Sequence, residues 1–265
     1  MMRISACIAA LALVAVPALA QDVKKETQRY KQMLAEGSPA ELFEIEGEAL
    51  WKKKQGPKNA SLEACDLGQG AGVLKGAYAH LPRYFADADR VMDVETRLLY
   101  CMSTLQGRSR EDTTKRLFGN ADSPSEMEYL VAYIAGESRG APMSAGNASA
   151  QEKAAYKLGR ELFYHRAGPW DFSCASCHSD DNKRIRLQYL PALAHPGDAG
   201  RMVSTWPAYL VHNAQFKTLQ WRINDCYRQM RVPEPTFGSE AVVSLIHFLT
   251  VTGQGEPYAG PGIKR

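Results

Sequence analysis

The chemistry open to this chain is concentrated in five positions, Cys174-Ala175-Ser176-Cys177-His178. Two thiols three residues apart with an imidazole beside the second form the arrangement in which the thiols bond the vinyl groups of a haem and the imidazole ligates its iron from one side. A Cys-x-x-Cys pair can also be a redox dithiol or half of a zinc site. Zinc requires another ligand pair at suitable spacing, which is missing here, so the motif predicts one haem c held by Cys174, Cys177 and His178. The opposite axial position decides what such a haem does, because a coordinated side chain suits electron transfer and an open one suits binding. His195, Met202, His212, Cys226 and Met230 lie downstream and could each reach it. A methionine is the usual partner in electron carriers, and His195, His212 and His247 read as ordinary surface or core histidines.

Cysteine usage singles out one of these candidates. The first residues, Met1-Met2-Arg3 followed by an apolar run from about Ile8 to Val16 and then Ala18-Leu19-Ala20, read as a secretory signal cleaved after Ala20. Cys7 leaves with it, and Cys65, Cys101, Cys174, Cys177 and Cys226 remain. In an oxidising compartment thiols are paired; with two on haem and one pair elsewhere, Cys226 is left over. Arg222 precedes it by one helical turn if the stretch is helical, and its charge would favour the thiolate, the form that coordinates metals and attacks sulfur. A structural arginine beside a buried inert cysteine is the competing reading.

The elements that must position these groups are helices. Ser38-Pro39-Ala40-Glu41 and Ser149-Ala150-Gln151-Glu152 each carry the oxygen and the glutamate of a capping box, with Pro39 suited to a first turn. Each leads into a Gly-x-x-Leu-aromatic segment, Gly47 to Trp51 and Gly159 to Phe163, with a proline ten residues after the glycine in both cases, Pro57 and Pro169. Arg97 to Cys101 and Arg222 to Cys226 repeat an Arg-x-x-x-Cys pattern. Ser123-Pro124-Ser125-Glu126 and Ser239 then open final helices, closed by Gly136 and Gly253. Four parallels in the same order predict an internal duplication: a mainly α chain with a signal over 1–20, a haem-less cytochrome-c-like domain over 21–140, a linker over 141–148, and a haem-bearing cytochrome-c domain over 149–265.

The duplication places the segment around Cys65 where the second half carries its haem motif, but Cys65 is a single cysteine followed by Asp66. Cys65 and Cys101 would then stand at the positions of a haem thiol and a distal thiol, close enough to form a disulfide. Closing that loop would stabilise the fold by about 3 to 4 kcal/mol on the chain-entropy model. Charge and hydropathy exclude other classes. Net charge is +3, falling to +2 when residues 1–20, which hold Arg3 and no acidic residue, are removed; this predicts no nucleic-acid binding. No apolar run is long enough to span a bilayer, so no membrane insertion is expected.

With these residues in view the chain resembles the SoxA family, the larger subunits of SoxAX cytochromes. The resemblance rests on Ser61-Leu62-Glu63-Ala64-Cys65-Asp66-Leu67-Gly68, Gly76-Ala77-Tyr78-Ala79, Leu81-Pro82-Arg83-Tyr84-Phe85, the haem motif and, most specifically, Asn224-Asp225-Cys226-Tyr227-Arg228-Gln229-Met230-Arg231. It implies two fused cytochrome-c-like domains, a smaller haem-bearing partner subunit, SoxX, in a heterodimer, and L-cysteine S-thiosulfotransferase activity in the periplasm. Thiosulfate would be joined oxidatively to a cysteine of the carrier SoxYZ. The same resemblance implies His178 as proximal iron ligand, Cys226 as distal ligand in persulfide form, and Arg222 as the group that binds thiosulfate. The lost motif at Cys65 makes the chain a monohaem member.

Overall fold

A computed structural model describes residues 37–181, 183–185 and 188–264. The chain divides into two units, Met1–Ser38 and Pro39–Arg265. The signal expected over 1–20 lies outside the described residues, and the second unit is the one considered below.

Two helix pairs carry its architecture. Helix α1 (Ala40–Lys52) buries Ala40, Phe43, Gly47 and Trp51, a single stripe at helical spacing. It packs on a helix at Glu126–Gly136 so closely that a Cβ on Gly47 would fall on the Tyr129 carbonyl. The helix at Ala150–Tyr164 buries Glu152, Ala155, Gly159 and Phe163 at the same spacing and packs on the helix at Glu240–Thr252, where a Cβ on Gly159 would fall on the Ser244 carbonyl. Glycine is required at both crossings because backbone meets backbone there.

After each of the leading helices comes the same kind of turn, bridged between Gln55 and Ala60 in one case and between Ala167 and Phe172 in the other. Gly56 and Asn59, like Gly168 and Asp171, take left-handed φ values. Each half also holds a short antiparallel hairpin ahead of a helix: β1 (Arg83–Phe85) with β2 (Arg90–Met92) and, in a separate sheet, β5 (Ala208–Leu210) with β6 (Gln215–Lys217). Each hairpin feeds a helix, α2 (Val94–Thr104) capped by Asp93 and, in the second half, Leu219–Met230 capped by Thr218. In chain order the remaining helices are α3 (Arg110–Thr114), α4 (Glu126–Gly136), α5 (Ala150–Tyr164), α6 (Cys174–His178), α7 (Pro196–Val203), α8 (Leu219–Met230) and α9 (Glu240–Thr252), with strands β3 (Arg184–Ile185), β4 (Gln188–Tyr189) and β7 (Gly262–Lys264). Among the described residues no strand exceeds three residues, and no helix is long and apolar enough to cross a membrane.

A core runs continuously from Trp51, Leu62 and Leu98 to Phe163, Ile223 and Phe248. A smaller cluster sets Phe216 of β6 against Phe43 of α1, ring centroids 5.0 Å apart. Beside it the buried Lys217 ammonium donates to Glu128 of α4 (2.7 Å) and to the Gly119 carbonyl (2.6 Å). The stretch at 141–148 has neither helix nor strand apart from a bridge between Pro142 and Pro257. It is nevertheless packed: Met143 and Ala145 are buried, and the amides of Ser144 and Gly146 donate to the carbonyls of Ala79 and Pro82.

Two helix starts depart from the expected ones. The N-cap of α1 is Pro39, itself helical at φ −56° and without a side-chain cap, where the sequence pointed to Ser38. Ser149 and Glu152 do form the expected capping box, and Ser125 with Glu128 forms another that begins α4 two residues after Ser123. Gly136 and Gly253 do not end their helices through a left-handed turn; each is small because a neighbour lies against it, the Glu44 carboxylate in one case and Gly200 in the other.

Candidate functional site

Ser173 fixes the start of α6. Its hydroxyl accepts from the Ser176 amide and the Ser176 side chain returns to the Ser173 amide, so Cys174 and Cys177 stand one turn apart on one short helix with His178 at its end. The preceding turn is seated on the end of α8: a Cβ on Gly168 would come 2.8 Å from a Val232 methyl and would crowd the Met230 and Arg231 carbonyls. The haem-motif helix and α8 are thereby held together.

The His178 Nδ1 lies 2.9 Å from the Pro191 carbonyl, which can only accept, so Nδ1 carries the proton and Nε2 keeps its lone pair. Burial, countered by that hydrogen bond and reinforced by the nearby Arg222 charge, lowers the imidazole below its ordinary pKa. The ring is therefore neutral at physiological pH, with one nitrogen oriented for a metal.

Cys226 lies near enough to Cys174 and Cys177 for their charges to interact. Burial first, then the Cys226 sulfur, pushes Cys174 up to about 12. Burial raises Cys226 as well, ahead of the lowering by Arg222 and the smaller effects of Asp225, Cys177 and Arg228. Arg222 thus acts in the expected direction, but burial outweighs it and the surroundings favour the Cys226 thiol over the thiolate. Tyr227, beside both Cys174 and Cys226, is raised to about 12, mainly by burial. Among the other candidates His195 and His212 are exposed, Met202 is half-buried against the core, and Met230 is buried at the end of α8. His247 is fully buried in α9.

The donor set fits haem c: two thiols on one turn, an imidazole with a free Nε2, and a third sulfur nearby. Cys65 and Cys101 are joined in a disulfide, Cα atoms 5.7 Å apart, the pair expected from the duplication pattern.

Sequence reasoning did not find Pro191 or Asp225. Pro191 reaches His178 through an irregular segment that no spacing rule reads. Asp225 lies three residues after Arg222, a helical spacing that could have revealed their ion pair, which is 2.7 Å long.

Comparison with known proteins adds lineage to this geometry. Residues 46–143, in the half without the haem motif, match the SoxA/TsdA cytochrome c domain. A curated relative from Hydrogenophilus thermoluteolus, L-cysteine S-thiosulfotransferase subunit SoxA, is 45% identical over 91% of this chain and 88% of its own length. The chain belongs to the SoxA family. A second SoxA subunit, from Hydrogenobacter thermophilus, is 33% identical over 93% of the chain and 89% of its own length. The crystal structure of SoxXA from P. pantotrophus shares the fold at a TM-score of 0.72 and 22% identity, covering 89% of this chain and 84% of that one. Membership of this cytochrome family implies haem c.

Proposed function

We propose that this chain is the periplasmic, monohaem SoxA-type subunit of an L-cysteine S-thiosulfotransferase, which with SoxX conjugates thiosulfate to a cysteine of SoxYZ. The observation that carries the reading is the nearness of Cys226 to both haem-motif thiols, with Arg222 one turn away and close enough to act on His178. The relatives named as such subunits support it over nearly the full chain. The fold shared with SoxXA supports a SoxX partner.

The repeated helix stripes, left-handed turns and hairpin-to-helix order support two fused cytochrome-c-like domains, 21–140 and 149–265, joined at 141–148. The single motif and the Cys65–Cys101 disulfide support one haem, in the second domain. The signal at 1–20, cleaved after Ala20, supports export.

In the reaction a carrier thiol and thiosulfate join through a new S–S bond, giving cysteine S-thiosulfonate, one proton and two electrons. Haem c, held by Cys174, Cys177 and His178, accepts one electron at a time when bound, so a second acceptor is needed, which the SoxX subunit supplies. Arg222 offers guanidinium donors to the sulfonate oxygens of the incoming anion and holds it at Cys226. Cys226 would help to hold the iron and, carried as a persulfide, would present a polarisable sulfur able to exchange with another sulfur, which a methionine thioether cannot do. Pro191 keeps the His178 Nε2 available.

The test is an intact mass of the matured protein with non-reducing peptide mapping, combined with turnover of thiosulfate and SoxYZ by the SoxX-bound protein. One haem, a sulfur adduct on Cys226 and a carrier mass increased by the thiosulfonate group are expected. One haem with unmodified Cys226, methionine ligation by spectrum and no carrier product would replace the reading with an electron carrier.

A further inference from the structure

Arg222 does not stand free in the site. Its Nη1 donates to Asp225 Oδ2 at 2.7 Å, and the Gln229 amide donates to the same oxygen at 2.8 Å. Asp225 Oδ1 lies 3.5 Å from Arg228, which is drawn away to Glu234 at 2.7 Å. Arg231 faces elsewhere, over the Trp170 ring at 5.9 Å. The cation one turn from Cys226 is therefore half of an ion pair, on one helix face, with its side chain about one-third exposed, 35%, and that of its partner 23%.

We propose that Asp225 is a positioning and specificity-determining residue: it orients the Arg222 guanidinium beside Cys226 and competes with incoming anions for it. The inference rests on the reading of Arg222 as the thiosulfate-binding group. Fixing a long side chain in advance reduces the ordering cost that an anion meets on binding. Cancelling the charge has the opposite effect, because an anion recognised by charge alone meets a neutral pair and must displace a carboxylate already in place. A spectator dianion such as sulfate, tetrahedral and doubly charged like thiosulfate but with no transferable sulfur, is disfavoured by this arrangement. The site thus selects for an anion that gains something beyond Arg222, namely contact with the Cys226 sulfur.

The test uses haem-loaded, SoxX-bound protein and inorganic sulfate as the probe. Calorimetric titration should give a sulfate dissociation constant about tenfold lower in Asp225→Asn than in wild type, with Asp225→Glu close to wild type. In turnover, sulfate should become a correspondingly stronger competitive inhibitor in Asp225→Asn. Removing the guanidinium in an Arg222→Ala/Asp225→Asn double variant should abolish the gain. Asp225→Ser serves in the same role where the asparagine variant loses haem or helicity. Unchanged or weaker sulfate binding in both charge-neutral variants overturns the proposal. Absence of carrier conjugation by the wild type would instead overturn the thiosulfotransferase reading, while the sulfate titration would still report on the Arg222–Asp225 pair.

Discussion

Helices α2 and α8 begin alike and end in different chemistry. Each follows a hairpin, carries an arginine at its fourth position and a cysteine four residues later, Arg97 with Cys101 and Arg222 with Cys226. Arg97 is 3% exposed and fully engaged: its Nε donates to the Asp66 carbonyl at 2.7 Å, its Nη1 lies 2.8 Å from Asp87, and its guanidinium sits over the rings of Phe85 (4.1 Å) and Tyr100 (4.8 Å). Cys101 is spent in a disulfide. Arg222 has a carboxylate from its own helix, and Cys226 is a free thiol. The residue before the cysteine marks the divergence, Tyr100 stacking on one arginine and Asp225 pairing with the other. So does the residue after the upstream cysteine: Asp66 closes around Arg97 through its backbone, whereas His178 brings an imidazole towards Arg222. The same Arg-x-x-x-Cys pair is fully satisfied by its neighbours in α2 and only partly so in α8.

The largest effect should come from exchanging the roles of the two cysteines. Cys226→Ser is expected to lower conjugation of thiosulfate to the carrier by at least about a thousandfold, the scale of losing a nucleophile, with little change in unfolding midpoint. The paired variant Cys65→Ser/Cys101→Ser should keep its activity per folded molecule while losing about 3 to 4 kcal/mol of stability, the loop-closure value, measured by denaturant unfolding. Activity that survives in Cys226→Ser would break the comparison at its centre.

The arginines should separate in the same sense. Arg97→Met is expected to cost about 2 to 3 kcal/mol, because a charge-assisted hydrogen bond and two ring contacts disappear from a buried place. Arg222→Met should cost under about 1 kcal/mol of stability, as for a partly exposed ion pair, and should act on KM for thiosulfate. Equal stability losses in the two variants would show that α8 uses its arginine structurally.

A smaller effect concerns the crossings that hold the halves. Gly47→Ala and Gly159→Ala should each cost about 1 to 3 kcal/mol, since a methyl group must push two helix backbones apart, and the second should also alter the haem spectrum because α5 leads directly into the motif turn. Matching losses in unfolding free energy would extend the likeness of the halves from geometry to energetics.

How much of this was legible in the sequence depended on how local each interaction is. The haem motif, the Ser149 and Ser239 caps and the Arg-x-x-x-Cys repeats are read along one helix or turn, and the disulfide followed from setting the repeats side by side. The satisfaction of Arg97 could not be read in that way, since Asp66, Asp87 and Phe85 reach it from three separate segments. Nor could the balance at Cys226, where the sequence shows a helpful arginine but burial by the surrounding fold outweighs it. Gly136 and Gly253 do stand at their helix ends, as glycine suggested, but without a left-handed φ; the neighbour that lies against each is supplied only by the folded chain.

The smallest effect is a dependence on pH that one half has and the other lacks. The second residue of α2 is Glu95 and that of α8 is Gln220, and the two helix starts meet: the Gln220 side chain donates to Asp93 at 2.7 Å, while Thr218 and the Gln220 amide donate to Glu95. Glu95 is buried, with Oε1 unpartnered, and burial followed by the Asp93 charge raises its pKa well above the ordinary 4.5. Because the folded value exceeds the unfolded one, the contribution of this group to stability is fully present below pH 4.5 and is lost as pH rises through the folded pKa. Asp93 is raised too, chiefly by burial, and because its charge acts on Glu95 the Gln variant also eases Asp93 ionisation, which adds to the difference in the same direction. Glu95→Gln gives α2 the residue that α8 already has, keeps the hydrogen-bonding shape and removes the titration. Unfolding free energies of wild type and variant should therefore lie close together near about pH 4.5 and separate in favour of the variant as pH rises towards about 8. Parallel stability curves over that range would mean that Glu95 ionises in the folded protein as readily as in the unfolded chain, and that the two helix starts differ in sequence but not in electrostatics.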